Sequence, residues 1–183
     1  MKIAILSDIH ENFHNLLRAL EIGREQGIEH ILCLGDLINP GIAKTLATCG
    51  TPVNCIWGNN DGDKVLITRF ALADDSEMVM SDKTYDFVML DGKKIFMSHY
   101  TELARPMAKS GEYDLVCYGH DHQKFYDQEG ACHIVNPGEL SGHLTGVVSF
   151  AIYDTAADDV QFFEIDDAVI VRTELMKKYM GGR

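Results

Sequence analysis

Asp8-Ile9-His10, Gly35-Asp36, Gly58-Asn59-Asn60-Asp61, His99 and Gly119-His120-Asp121-His122 are the groups in this chain that can do chemistry together. Imidazole with carboxylate and carboxamide oxygen suits Mn, Fe, Zn, Co or Ni better than Ca or Mg alone. Each group follows an apolar run: residues 2–7, 30–34, 52–57, 94–98 and 114–118. Short apolar runs rich in β-branched residues read as buried strands. Sheets of parallel strands bind ligands beyond the carboxyl ends of the strands. If these ends share one edge, Asp8, His10, Asp36, Asn59, His99, His120 and His122 converge there. That is donor enough for two metal ions.

Taken singly, the groups are weaker. Asp8 and His10 stand two residues apart, and in extended chain such side chains point the same way. Both can then grip one ion, but Asp-x-His is also an ordinary turn with a helix-capping residue. Asp36 follows a glycine that permits a sharp exit and close approach. Its two oxygens can bridge two ions; alone it reads as an N-cap or Asx turn. Asn59 offers a neutral amide oxygen inside a turn-forming stretch. His120 and His122 repeat the two-residue spacing with imidazoles. His99 alone reads as a partly buried histidine. Aligned strand ends carrying matched donors make the set stronger than its members.

The elements that must place these donors alternate at first. A strand at 2–7 leads to a helix at 13–26, with Leu16, Leu17, Leu20 and Ile22 on its apolar side and Gly27 ending it. A strand at 29–34, a short helix near 41–48, a strand at 53–57 and a helix near 62–73 follow. This order favours parallel strands with helical crossovers. Further on, 85–90 with 94–97, 124–127 with 132–135, and 146–153 with 160–164 read as hairpins. A helix near 101–110 separates His99 from a strand at 114–118. Residues 167–180 are ambiguous between strand and helix, and Gly181-Gly182-Arg183 reads as frayed.

The chain has 183 residues, which favours a single domain over 1–183 able to bury roughly 70% of the unfolded surface. The formal net charge is −12, with Lys and Arg scattered rather than striped, which argues against general nucleic-acid binding. No apolar run approaches the ~20 residues needed to span a bilayer. There is no signal-peptide pattern, so a cytoplasmic protein is expected. The five cysteines include no CxxC pair and read as reduced core thiols. Two divalent ions carry more positive charge than Asp8 and Asp36 cancel. A net positive centre in an acidic protein suits a small phosphate ester. Ions about 4 Å apart can activate a bridging water for in-line attack without a protein nucleophile.

Together, Asp8-x-His10, Gly35-Asp36, Gly58-Asn59-x-Asp61, His99 and Gly119-His120-x-His122 resemble the calcineurin-like metallophosphoesterases. The Ser7-Asp8-Ile9-His10 opening and the size look most like their compact bacterial and archaeal phosphodiesterase branch. The resemblance spans about residues 1–155. It implies an α/β fold in four layers, with two mixed β-sheets face to face and helices outside. It implies Asp8, His10 and His122 on one ion, Asn59, His99 and His120 on the other, and Asp36 bridging. It also implies a phosphodiesterase using two divalent transition-metal ions, manganese first, with Fe, Zn, Ni or Co as alternatives. Asp36, Asn60 and His99 are the expected catalytic residues.

The chain departs from the family pattern in two places. Many members carry a His after the Asn59 position that helps protonate the leaving group, and the compact branch often has Cys; here it is Asn60. An amide cannot act as a general acid, though it can donate a hydrogen bond to a phosphate oxygen. The position after His10 is often Gly in the family and is Glu11 here, read as a solvated charge. Asn136-Pro137-Gly138 resembles a family turn and reads as a strand-ending turn. His14 and His143 match no motif and read as surface histidines; either is a candidate for the missing acid, His143 first. A metal-binding scaffold like the retromer subunit of this fold, and a phosphomonoesterase or dinucleoside-polyphosphate hydrolase, are the competing functions. Homo-oligomer formation is left open.

Overall fold

Both faces of the first strand are apolar, and that decides its place. β1 (Lys2–Leu6) turns Ile3 and Ile5 into one apolar layer and Ala4 and Leu6 into another. A strand buried on both faces belongs inside a covered sheet. Fully burying one such Ile or Leu side chain contributes about 1.5–3 kcal/mol. The computed structural model describes residues 1–170.

β1 runs parallel to β2 (His30–Cys33), β2 to β3 (Val53–Cys55) and β3 to β4 (Met78–Met80). On its other side β1 pairs antiparallel with β10 (Ser149–Asp154), which pairs with β11 (Asp159–Glu164). The second sheet holds β5 (Tyr85–Leu90), β6 (Lys93–Ser98), β7 (Leu115–Tyr118), β8 (Phe125–Glu129) and β9 (Cys132–Asn136), in the order β5-β6-β7-β9-β8. Helices α1 (Phe13–Gln26), α2 (Pro40–Ala47) and α3 (Lys64–Ala71) cover the first sheet. Helix α4 (Ala104–Lys109), entered through a 3₁₀ turn at Thr101–Leu103, covers the second.

The apolar layers follow from strand alternation. Ile3, Ile5, Leu32, Leu34 and Ile56 meet Ile95, Met97, Leu115, Cys117 and Val135 between the sheets. Ala4, Leu6, Ile31 and Cys33 face Leu16, Leu20, Ile42, Leu46 and Ile67 of the helices. Phe96, Val116 and Ile134 face Ala104 and Ala108. The result is the α/β/β/α sandwich that the family resemblance implies.

Several local expectations need correction. Strand β4 was not expected, because a three-residue strand is too short to show a period. Leu17 is 52% exposed, so it lies off the packed side of α1. That side is instead Asn15, Leu16, Ala19, Leu20 and Gly23. Asp63 caps α3, its side chain accepting from the Leu66 N–H, so that helix starts later than its apolar pattern suggests. The expected hairpins pair as β5–β6, β8–β9 and β10–β11, and Gly27 ends α1 at φ 75°. Residues 167–170 are irregular; the expectations for 171–180 and for Gly181-Gly182-Arg183 lie outside the described residues. Among the described residues no helix is long and apolar enough to cross a membrane.

The donor groups leave the carboxyl ends of β1, β2 and β3 in one sheet and β6 and β7 in the other. The shared edge is therefore made by two sheets facing each other, not by one.

Candidate metal centre

The chain turns sharply as it leaves these strands. Asp8, His10, Asp36, His120 and His122 all have left-handed backbone, with φ of 51°, 55°, 61°, 73° and 62°. Non-glycine residues in this region cost about 1–3 kcal/mol each, and Asp and His are among those that tolerate it best. This overturns the extended-chain geometry expected for Asp8 with His10 and for His120 with His122. The turn, not strand alternation, aims these side chains. The loops are also stitched together. The His10 N–H donates to the Asp36 carbonyl (2.8 Å), the Ser141 N–H to the Asp8 carbonyl (2.9 Å), and the Gly119 N–H to the His99 carbonyl (3.2 Å).

Asp8, His10, Asp36 and His122 form a buried quartet whose donor atoms lie within 4.8 Å of one another. Asp8 Oδ2 accepts from the Ser7 hydroxyl (2.6 Å) and the His120 N–H (3.0 Å). Its other oxygen, Oδ1, has no hydrogen-bond partner and faces His122 Nε2 at 3.3 Å. His10 Nε2 is likewise buried without a hydrogen-bond partner and stands 3.5 Å from Asp36 Oδ2. Buried polar atoms left without partners are costly unless something else satisfies them. Here they are a carboxylate oxygen and an imidazole nitrogen of one compact cluster, a donor set that could hold a metal ion.

Asp36 faces two ways. While Oδ2 meets His10, Oδ1 stands 3.5 Å from His99 Nε2 on the other flank. His99 is fully buried and its Nδ1–H donates to the Leu34 carbonyl (2.8 Å), so the neutral ring keeps its lone pair at Nε2. That nitrogen is 2.8 Å from the Asn59 amide oxygen. A proton or a cation between them, or a turned Asn59 amide, would satisfy both groups. The His120 ring lies against His99 and Tyr100, each at 5.1 Å between centroids, and away from the quartet. His120 and His122 therefore part to opposite flanks. Asn59, Asn60 and His120 are exposed, so the site opens to solvent on this side.

Asn60 donates to Asp36 twice, from its backbone N–H to Oδ1 (2.8 Å) and from its side-chain amide to Oδ2 (3.0 Å). Asp61 holds the same turn, accepting from the N–H groups of Leu37 (2.8 Å) and Gly58 (2.6 Å). His143 is not the surface histidine expected: its ring packs on His10 at 5.2 Å and its Nε2 lies 3.6 Å from Glu11 Oε1. His14 does stay outside, bonded to the Asp167 carbonyl. The Asn136-Pro137-Gly138 turn ends β9 as expected, and the Asn136 amide donates to Asp121 (2.6 Å), steadying the His120–His122 loop. Sequence reasoning missed Glu139, which is fully buried and accepts from His122 Nδ1 at 2.7 Å. A lone Glu after a turn belongs to no donor spacing, and only its burial reveals it.

The electrostatics agree with the geometry. Burial pushes the Asp8 carboxyl above its usual range, with the His122 charge opposing. Burial likewise lowers the pKa of His10, favouring the neutral imidazole that binds metal. Burial works against a charge on Glu139, but hydrogen bonds from His122, Ser141 and Thr145 outweigh it and hold the carboxyl at about 2. Burial also disfavours a charge on His122, yet Glu139, Asp8 and Asp36 together raise its pKa.

Gly58 shows how tightly the bridge position is built. A Cβ there would stand 2.4 Å from the Asp36 backbone nitrogen and 2.1 Å from Asp36 Oδ1. Gly58→Ala is expected to destabilise the fold by about 1–3 kcal/mol in denaturant titration, because the backbone at Asp36 must move. Unchanged stability would contradict this contact.

A family model described as the calcineurin-like phosphoesterase superfamily domain matches residues 1–158. The chain is 31% identical over 157 residues to phosphodiesterase MJ0936 of Methanocaldococcus jannaschii, covering 85% of this chain and 93% of that one. It is 26% identical over 148 residues to phosphodiesterase YfcE of Escherichia coli K12, covering 77% and 80%. A solved archaeal phosphodiesterase superposes with a TM-score of 0.82 at 29% identity, covering 90% of this chain and 100% of that one.

Proposed function

The chain belongs to the calcineurin-like phosphoesterase superfamily, and from that membership we propose a phosphodiesterase that works with two divalent transition-metal ions. The observation that carries this reading is Asp36, whose two oxygens face His10 and His99 on opposite flanks. A carboxylate so placed can bridge two ions. Asp8, His10 and His122 would then hold one ion, Asn59, His99 and His120 the other, with Asp36 shared between them. Manganese is the first candidate, with Fe, Zn, Ni and Co as alternatives, because the donors mix imidazole with carboxylate.

When bound, such ions lower the pKa of water and clamp phosphate oxygens. The chain's own residues do the rest. Ser7 fixes the rotamer of Asp8, and Leu34 fixes the ring of His99. Asn60 stands beside Asp36 at the open side, where its amide can donate to a phosphate oxygen but cannot release a proton. The substrate is a small phosphate diester. A chain of net charge −12 offers a long polyanion little attraction beyond the ions themselves. Its unpaired thiols suit the reducing cytoplasm.

The test is hydrolysis of an activated aryl phosphodiester by metal-stripped protein after addition of Mn²⁺ or Ni²⁺. Turnover is expected only with metal. Full metal uptake without turnover of any ester would overturn the reading. A second measurement addresses Asn60. Asn60→His is expected to raise kcat/KM for alkyl diesters, whose leaving groups are poor, by roughly 100-fold, and to leave activated aryl diesters nearly unchanged. An equal effect on both, or none on either, would refute the missing-acid argument.

A further inference from the structure

The two flanks of the centre are held by different chemistry. On one, the Nδ1–H of His99 donates to a backbone carbonyl, that of Leu34. On the other, the Nδ1–H of His122 donates to a carboxylate, that of Glu139. We propose that Glu139 is a positioning residue that orients His122 and makes the Asp8–His10–His122 flank the tighter of two unequal metal sites. This rests on the two-ion reading above and adds an order of loading to it.

Glu139 is built for the task. It follows the turn that ends β9 and lies fully buried. Its Oε2 accepts from His122 and from the Ser141 hydroxyl. Its Oε1 accepts from the N–H groups of Leu144 (3.0 Å) and Thr145 (2.7 Å) and from the Thr145 hydroxyl (2.8 Å). A carboxyl surrounded by donors on both oxygens has no use for a proton of its own. It can only accept from His122, which forces the ring's lone pair onto Nε2, the atom facing Asp8. A carboxylate behind a ligating imidazole also strengthens it as a donor more than a neutral carbonyl does.

Charge points the same way. The Glu139 flank holds two fully buried carboxyl groups, Asp8 and Glu139. The opposite flank has the neutral amide of Asn59 and the carbonyl behind His99, and its Asn59 and His120 are exposed. Asp36 serves both and does not discriminate. The first ion therefore enters beside Asp8, and the second completes the pair on the open side.

The test is calorimetric titration of the metal-stripped protein with Mn²⁺, a readout independent of turnover. The wild type is expected to show two affinities at least tenfold apart. Glu139→Gln keeps the shape but loses the charge and one acceptor oxygen. It is expected to weaken the tighter site by about 10–100-fold and spare the weaker. Glu129→Gln removes the same charge from an exposed carboxylate at the end of β8 and is expected to leave both affinities within about threefold. Two equal wild-type affinities would overturn the proposal even if Glu139→Gln fails to fold. So would equal weakening of both sites by Glu139→Gln, or an effect of Glu129→Gln as large. A wild type that takes up no Mn²⁺ would instead sink the two-ion reading itself.

Discussion

Asp36→Ala is expected to reduce metal-dependent phosphodiester hydrolysis by about 1,000-fold or more. Removing a residue that merely orients a ligand already costs about 10–100-fold in affinity or activity. Asp36 stands between the flanks, with one oxygen toward His10 and the other toward His99. Its loss therefore separates the two halves of the centre at once. The substitution also takes the acceptor from the Asn60 N–H and amide, but the fold should survive, because the main-chain bond of this loop to His10 remains. The Asp36 carbonyl still receives the His10 N–H. Kinetics on the activated diester, alongside circular dichroism of the variant, decide the matter. Retention of more than about one-tenth of wild-type turnover would remove Asp36 from the bridging role.

Metal depletion has the second large effect. A ligand at 1,000 times its Kd stabilises the folded state by about 4 kcal/mol. For a domain of this size that corresponds to roughly 8–16 °C in Tm. Stripping with a chelator is thus expected to abolish turnover and lower Tm by that order, and Mn²⁺ to restore both. The rise comes from relieving the unpartnered Asp8 Oδ1 and His10 Nε2. A Tm that ignores Mn²⁺ while the ion binds would mean that those atoms are satisfied some other way.

The donors of the centre were legible in the sequence because each ends an apolar run, and the runs are strands. Their aim was not. Side-chain alternation predicts that His120 and His122 point together, but left-handed turns send them to opposite flanks. Such a turn leaves no period to read, since it is one residue long. Glu139 was invisible for a related reason: it reaches His122 across the fold, and nothing in its neighbours marks it as buried. His143 moved from the expected surface to the side of His10 because its loop folds back over the carboxylate of Glu139. The four-layer architecture was implied by motifs and followed by the strands. The short β4 and the exposed Leu17 show where local pattern yields to packing.

The pairing of β1 with β10 sets a timetable for the protein as it is made. β1 leaves the ribosome early, carrying Asp8 and His10 just behind it. Its antiparallel neighbour begins only at Ser149. At translation rates of about 5–20 residues per second, the first strand waits roughly 7–30 s for that partner. Until the sheets close, His122 and the Glu139 that steadies it are not held beside Asp8 and His10, and two donors on a loose chain hold an ion poorly. Metal capture is thereby postponed until the sandwich closes. A finished cavity then chooses the ion by its geometry, where a nascent chain would take whichever metal binds donors most avidly.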